Sequence, residues 1–136
     1  MKRRKAREYA LQILFQIDFK DEEIDREDLE RFWSDKTVDA DVKKFAEELA
    51  LGTVNNLQEI DSMIEKFADN WLLKRMAVVD RNILRFAAYE IVYRKDIPSA
   101  VTINEAIEIA KKFSSAEAIP FINGVLDRLV KEIGKA

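Results

Sequence analysis

Residues 101–113 read VTINEAIEIAKKF. Thr102 followed three residues later by Glu105 has the spacing of a capping box, in which a hydroxyl and a carboxylate satisfy unpaired N–H groups at a helix start. Val101 and Ala106 stand where a hydrophobic staple closes over the same turn. The stretch therefore predicts a helix starting at Thr102, and the helical reading spreads outward from it. Upstream, KDIPSA (95–100) ends the preceding helix, because Pro98 disfavours helical geometry at the residue before it. Downstream, SSAEAIPFINGVLDRLVKEIG (114–134) repeats the box spacing at Ser114 and Glu117, with Pro120 competing as a first-turn residue. Ile122, Val125, Leu126, Leu129 and Ile133 then form one stripe, and Gly134 is a stop.

The rest of the chain follows the same period. Only three Gly and two Pro punctuate 136 residues. Apolar residues recur mostly at spacings of three and four, and no alternating run supports a strand. A first helix is predicted over 4–18, with Ala6, Tyr9, Ala10, Ile13, Leu14 and Ile17 inward. A second is predicted near 25–34, with Asp25 as cap and Leu29, Phe32 and Trp33 apolar. A long helical region over 40–68 carries a stripe from Val42 to Phe67, which Gly52 and Asn55–Asn56 weaken or divide. A short helix near 72–76 and a helix over RNILRFAAYEIVYR (81–94) complete the set. The expectation is an all-α fold of about seven helices in one domain, 1–136, with neighbours packed antiparallel through short connections.

Composition removes most chemistry. There is no Cys and no His, hence no disulfide, no thiolate metal site, no Cys nucleophile and no imidazole base. No Gly-rich loop cradles a phosphate, and no Ser-His-Asp set exists. Asp18, Glu47, Glu48, Asp61 and Glu65 are acid–base candidates by abundance alone, and a solvated helical face accounts for them. No carboxylate spacing demands a metal. The expectation is a binding protein with no catalytic residue, metal or cofactor. No run of 18 apolar residues crosses a membrane. Glu8, Gln12, Gln16 and Asp18 interrupt what a secretory signal would keep apolar. A soluble, cytoplasmic protein is expected.

Charge is uneven. The chain carries −3 overall, yet residues 1–7 hold five basic and no acidic groups. Residues 18–41 hold eleven acids against four bases. Cations at a helix N-terminus oppose the macrodipole, at about 0.3–1 kcal/mol each before screening. Helix stability alone would not select them. They suit an anion-binding arm for a nucleic-acid backbone, against the alternatives of a solubilising terminus or an arm folded back on the acidic 18–41 segment. The acidic remainder favours a local site for a short single strand, where a few cations work beside an aromatic group.

RRKAREYALQILF (3–15), VVDRNILRFAAYEI (78–91), VTINEAIEIAKKF (101–113) and FINGVLDRL (121–129) together resemble the bacterial transcription antitermination factor NusB family. The resemblance covers nearly the whole chain, and its third and fourth blocks are the most specific. It implies seven helices in two packed three-helix sub-bundles. It also implies a protein that pairs with NusE, a small-subunit ribosomal protein, binds boxA RNA in nascent ribosomal RNA leaders, and joins other Nus factors on RNA polymerase to suppress premature termination.

The family's arginine-rich start, which contacts RNA, falls on Arg3, Arg4, Lys5 and Arg7, with Lys2 nearby. Its aromatic before the helical Asn-Gly falls on Phe121. Asp80 matches an acidic residue at the start of the fifth helix, close to the RNA and NusE surfaces, and Glu117 matches an acidic position before the Phe. The family often has Lys or Arg where this chain has Pro120, which puts one phosphate contact in question. The implied site is composite: the arm holds phosphates, Phe121 stacks, and polar groups near Asp80 and Glu117 read base edges. The rivals are a protein–protein scaffold or homodimer, since some family members dimerise, and the NusB-like module found in some ribosomal RNA methyltransferases. The absence of a methyl-donor domain before Ala136 favours the free factor.

Overall fold

The computed structural model describes residues 2–18, 23–69 and 71–135. Among them are seven α-helices and no strand: α1 Lys2–Phe15, α2 Arg26–Trp33, α3 Ala40–Asn55, α4 Leu57–Phe67, α5 Val78–Tyr93, α6 Ser99–Phe113 and α7 Ala118–Ile133. Short 3-10 turns follow α1 at Gln16–Asp18 and precede α5 at Leu73–Arg75.

The helices form two groups. In the first, α1 lies along α3, and α2 closes over both. The Tyr9 ring of α1 meets Phe32 and Trp33 of α2 edge-on, at centroid distances of 6.1 and 5.2 Å. Trp33 Nε1 donates to Glu47 Oε2 of α3 at 2.7 Å. In the second group, α5, α6 and α7 pack on one another, and α4 lies against α5 and α7. One core joins the groups, because α1 and α3 also rest on α5. Ile13, Leu14, Leu49, Ile83, Ile109 and Leu126 are buried in it.

Helix starts and stops follow local chemistry, with two corrections. Asp25 caps α2 in a reciprocal box: Asp28 N donates to Asp25 Oδ1 at 2.8 Å, and Asp25 N donates to Asp28 Oδ2 at 2.9 Å. Gly134 ends α7 with φ 71°, the left-handed cap for which glycine is suited, although Ile133 beside it is exposed rather than in the stripe. The box expected at Thr102 does not form. α6 starts a turn earlier, at Ser99, directly after the extended Pro98. Thr102 is thus inside the helix, where its hydroxyl donates to Glu90 Oε1 at 2.8 Å, and Val101 is exposed rather than stapled. Ser114 caps the end of α6 rather than the start of α7, and Pro120 sits in the first turn of α7.

Gly52 does not break the long helix. α3 runs through it to Asn55, and the division falls at Asn56. Gly52 instead admits Tyr89, since a Cβ there would lie 2.2 Å from Tyr89 Cζ.

Candidate nucleic-acid interface

The basic start is the first turn of α1 rather than a loose arm, and it has no acidic residue of its own to offset the dipole. The offset comes from other helices. Lys2 Nζ lies 3.3 Å from Asp39 and 3.5 Å from Asp41, so one cation does fold back on the acidic segment. Residues 19–22 of that segment lie outside the described residues. Arg4 makes a two-pronged pair with Glu105: Nε to Oε1 at 2.9 Å and Nη2 to Oε2 at 2.8 Å. Lys5 stands 3.9 Å from Glu8, whose carboxylate also receives Lys112 at 3.0 Å. Arg3 lies over the Phe45 ring at 4.4 Å, and among the described residues it has no carboxylate within ion-pair distance.

Arg7 is not part of this surface. Its side chain is 2% exposed. Nε and Nη2 donate to the two oxygens of Glu90 at 2.7 and 2.9 Å, and Glu90 is completely buried. The expectation that Arg7 contacts phosphate is corrected for a geometric reason. At 3.6 residues per turn, position 7 shares the inward face of Ala10, Leu11 and Leu14. The sequence held a signal for this: Glu90 follows Ile83 and Ala87 on the buried stripe of α5, and a carboxylate there needs a cation.

The second group of expected residues lies elsewhere. Asp80 sits in the first turn of α5, and the Ser114 hydroxyl at the end of α6 donates to it. Glu117 is exposed at the entry to α7. Phe121 is half-buried, packed on the core from below and touching Trp71 from the side, with ring centroids 5.3 Å apart and planes at 55°. Trp71 is 52% exposed. The two rings border a cavity of about 350 Å³ that also reaches Asp69, Gly124 and Arg128.

α6 connects the two groups without merging them. Glu105 holds Arg4, Lys112 holds Glu8 and Ser114 holds Asp80. Nine residues separate Glu105 from Ser114, about 13 Å at 1.5 Å per residue. The site is therefore two patches along one helix, a cationic one and an aromatic–acidic one. Glu105 and Lys112 are the members that sequence reading missed.

The Arg4 hydrogen bonds hold the Glu105 carboxyl below its ordinary value, against burial, which pushes it up; the charges of Arg4 and Arg7 add to the lowering. A carboxyl depressed in the folded state stabilises the fold above its unfolded pKa and loses that contribution as pH falls through the lower folded value. Glu105→Gln should thus be less stable than the parent near pH 7, and the two should converge in acid. Urea unfolding at a series of pH values reads this directly, and a constant difference down to pH 2 would refute it.

The other acids expected on a solvated face are largely structural. Asp61 takes both prongs of Arg85 at 2.9 and 3.0 Å, Glu47 holds Trp33, and Glu65 accepts Leu73 N at 2.9 Å. Among the described residues no group of three or more His, Cys, Asp or Glu is placed to hold a metal ion, and no helix is long and apolar enough to cross a membrane.

A group of three helices packed on a group of four, a cationic first turn and an aromatic cleft at the start of the last helix define an all-helical protein built for binding. The NusB family model matches residues 4–131, and the chain belongs to the NusB family. It is 48% identical to the transcription antitermination protein NusB of Thermodesulfovibrio yellowstonii, over 97% of this chain and 93% of the relative. Its fold is similar to that of T. maritima NusB, at 43% identity and a TM-score of 0.85 over 96% of this chain and 91% of that one. It is also similar, at 28% identity and a TM-score of 0.85, to a structure of the antitermination factors NusB and NusE in complex with double-stranded RNA, over 96% of this chain and 97% of that one.

Proposed function

We propose that this protein is an RNA-binding transcription antitermination factor. Residues 1–136 act as one unit that binds boxA RNA of nascent ribosomal RNA transcripts together with NusE and helps RNA polymerase pass premature terminators, in the bacterial cytoplasm. It works by binding, without a reaction of its own. The observation that carries this reading is the near full-length likeness to a NusB that is held with NusE and RNA, joined to the cationic turn on α1.

Lys2, Arg3, Arg4 and Lys5 supply phosphate contacts. Among the described residues Arg3 has no paired acid to leave, and Arg4 keeps Nη1 outside its pair with Glu105. Asp80 and Glu117 serve as acceptors for exocyclic amines or hold a partner's cation, and Phe121 offers a ring face. Arg7 stays with Glu90 and acts by fixing α1. The RNA in the neighbouring structure is a duplex; the local extent of the cationic patch and the ring faces fit an unpaired strand, whose base edges and faces are open.

Gel-shift titration against boxA RNA, a scrambled RNA and a boxA duplex, each with and without NusE, tests this. The single-stranded boxA RNA should bind best, and NusE should tighten it. Equal binding of boxA and scrambled RNA in the presence of NusE would overturn the reading.

A further inference from the structure

Phe45 of α3 gathers three arginines about one ring. The guanidinium carbon of Arg3 lies 4.4 Å from the ring centroid, and those of Arg7 and Arg94 lie 5.3 Å from it. Two of the three answer to acids. Arg7 gives its charge to Glu90. Arg94 is held by Asp96 at 3.0 Å and lies 3.6 Å from Glu48. Arg3 has only the ring among the described residues. The ring itself is fixed, because Phe45 is buried in the core where α1 packs on α3.

A ring acts on Arg3 differently from the way a carboxylate acts on Arg4. Glu105 occupies Arg4 Nε and Nη2. A ring face attracts the charge and takes up none of the N–H donors in such bonds, so the guanidinium is ordered while its donors stay open to an anion. Arg3 and Arg7 are four residues apart and share one face of α1. Arg7 reaches inward, and Arg3 stays exposed at the outer margin. Other partners are near. Arg3 shares a cavity of about 270 Å³ with Asp41 and Glu48, yet those carboxylates pair with Lys2 and Arg94.

We propose that Phe45 is a positioning residue for RNA: it holds the Arg3 guanidinium ready for a phosphate and away from the acids around it. This rests on the RNA-binding reading above and adds to it a core residue of α3, a helix that carries none of the proposed phosphate contacts. A long side chain left free must be ordered when the RNA arrives, which weakens binding. The ring orders Arg3 beforehand, during folding. The gain cannot exceed the strength of the ring contact itself, which at an exposed site limits it to about 2- to 5-fold in affinity.

Fluorescence anisotropy of the full chain with labelled single-stranded boxA RNA, over a series of salt concentrations, tests this, with affinity taken per folded molecule. Phe45→Leu removes the ring and keeps an apolar side chain. It should weaken binding by about 2- to 5-fold and leave the slope of log affinity against log salt unchanged, since the phosphate contact remains. Phe45→Tyr keeps the ring and should bind as the parent does. The decisive arm is the double-mutant cycle. In an Arg3→Ala background, Phe45→Leu should cost no further affinity, because the cation that the ring holds is gone. A Phe45 that served packing alone would lose the same factor in both backgrounds. Additive losses would therefore overturn the positioning, as would parent-like affinity of Phe45→Leu. Without any core substitution, ¹⁵N relaxation of the Arg3 Nε–H in the free parent should show an ordered side chain. Mobility equal to that of the exposed Arg75 would also overturn the positioning. Arg3→Ala with parent-like affinity and slope would remove the Arg3 contact and the positioning together, and leave RNA binding to the other cations. Failure of the parent to bind RNA at all would remove the functional reading and the positioning with it.

Discussion

Arg7→Ala should lower the free energy of unfolding by about 3–5 kcal/mol, the cost of removing one partner from a buried ion pair. The size follows from what remains. Glu90 is fully buried and accepts two hydrogen bonds from Arg7 and one from Thr102. With Arg7 gone, the charge keeps a single neutral donor in a site closed to water. Replacing both members, Arg7→Leu with Glu90→Leu, should recover much of the loss, because no charge is then stranded, and the Thr102 hydroxyl can turn to a carbonyl of the preceding helical turn. The double-mutant cycle isolates the coupling between the two. RNA affinity per folded molecule should change little in either variant. Near-parent stability together with weakened RNA binding would return Arg7 to the RNA surface and contradict its burial.

That pair also marks the boundary of what could be read from the chain. Helices were legible because their stripes are local: Val42 to Leu49, Ile83 to Ile91 and Ile122 to Leu129 each repeat within one element. The cap at Asp25 was legible for the same reason. Thr102–Glu105 misled because the spacing that closes a capping box also occurs one turn inside a helix. There, both side chains take partners far away in sequence, on Glu90 and Arg4. Charge counting placed Arg3, Arg4 and Arg7 in one arm. The helical period separates them, since Arg7 shares its face with Leu11 and Leu14, and a stricter use of it would have put Arg7 inside. Trp71 lies in a stretch with no period, so its side chain had no assigned face until Phe121 was brought beside it by the docking of α7 on α4. The position of the candidate site depends on these long-range contacts, which spacing along the chain does not encode.

The cations that remain exposed make the second large prediction. Arg3→Ala with Arg4→Ala should weaken single-stranded boxA binding by roughly 10²- to 10⁴-fold at low salt, since hydrogen bonds to a charged group contribute about 1.5–3 kcal/mol each. It should also flatten the dependence of log affinity on log salt by about 1.4, at about 0.7 per phosphate contact on a single strand. The slope is the more decisive quantity. Arg4 also neutralises Glu105, so its removal disturbs the fold and can lower apparent affinity by reducing the folded fraction. Such a loss does not depend on released counterions, and it leaves the slope as it was. Arg3 separates the roles from the other side, because its described partner is the Phe45 ring and its removal strands no carboxylate. If Arg3→Ala alone flattens the slope by about 0.7, its guanidinium meets a phosphate. If neither variant moves the slope, the basic turn serves the packing of α1 on α3 and α6, and the RNA contacts must lie with the aromatic patch at the start of α7.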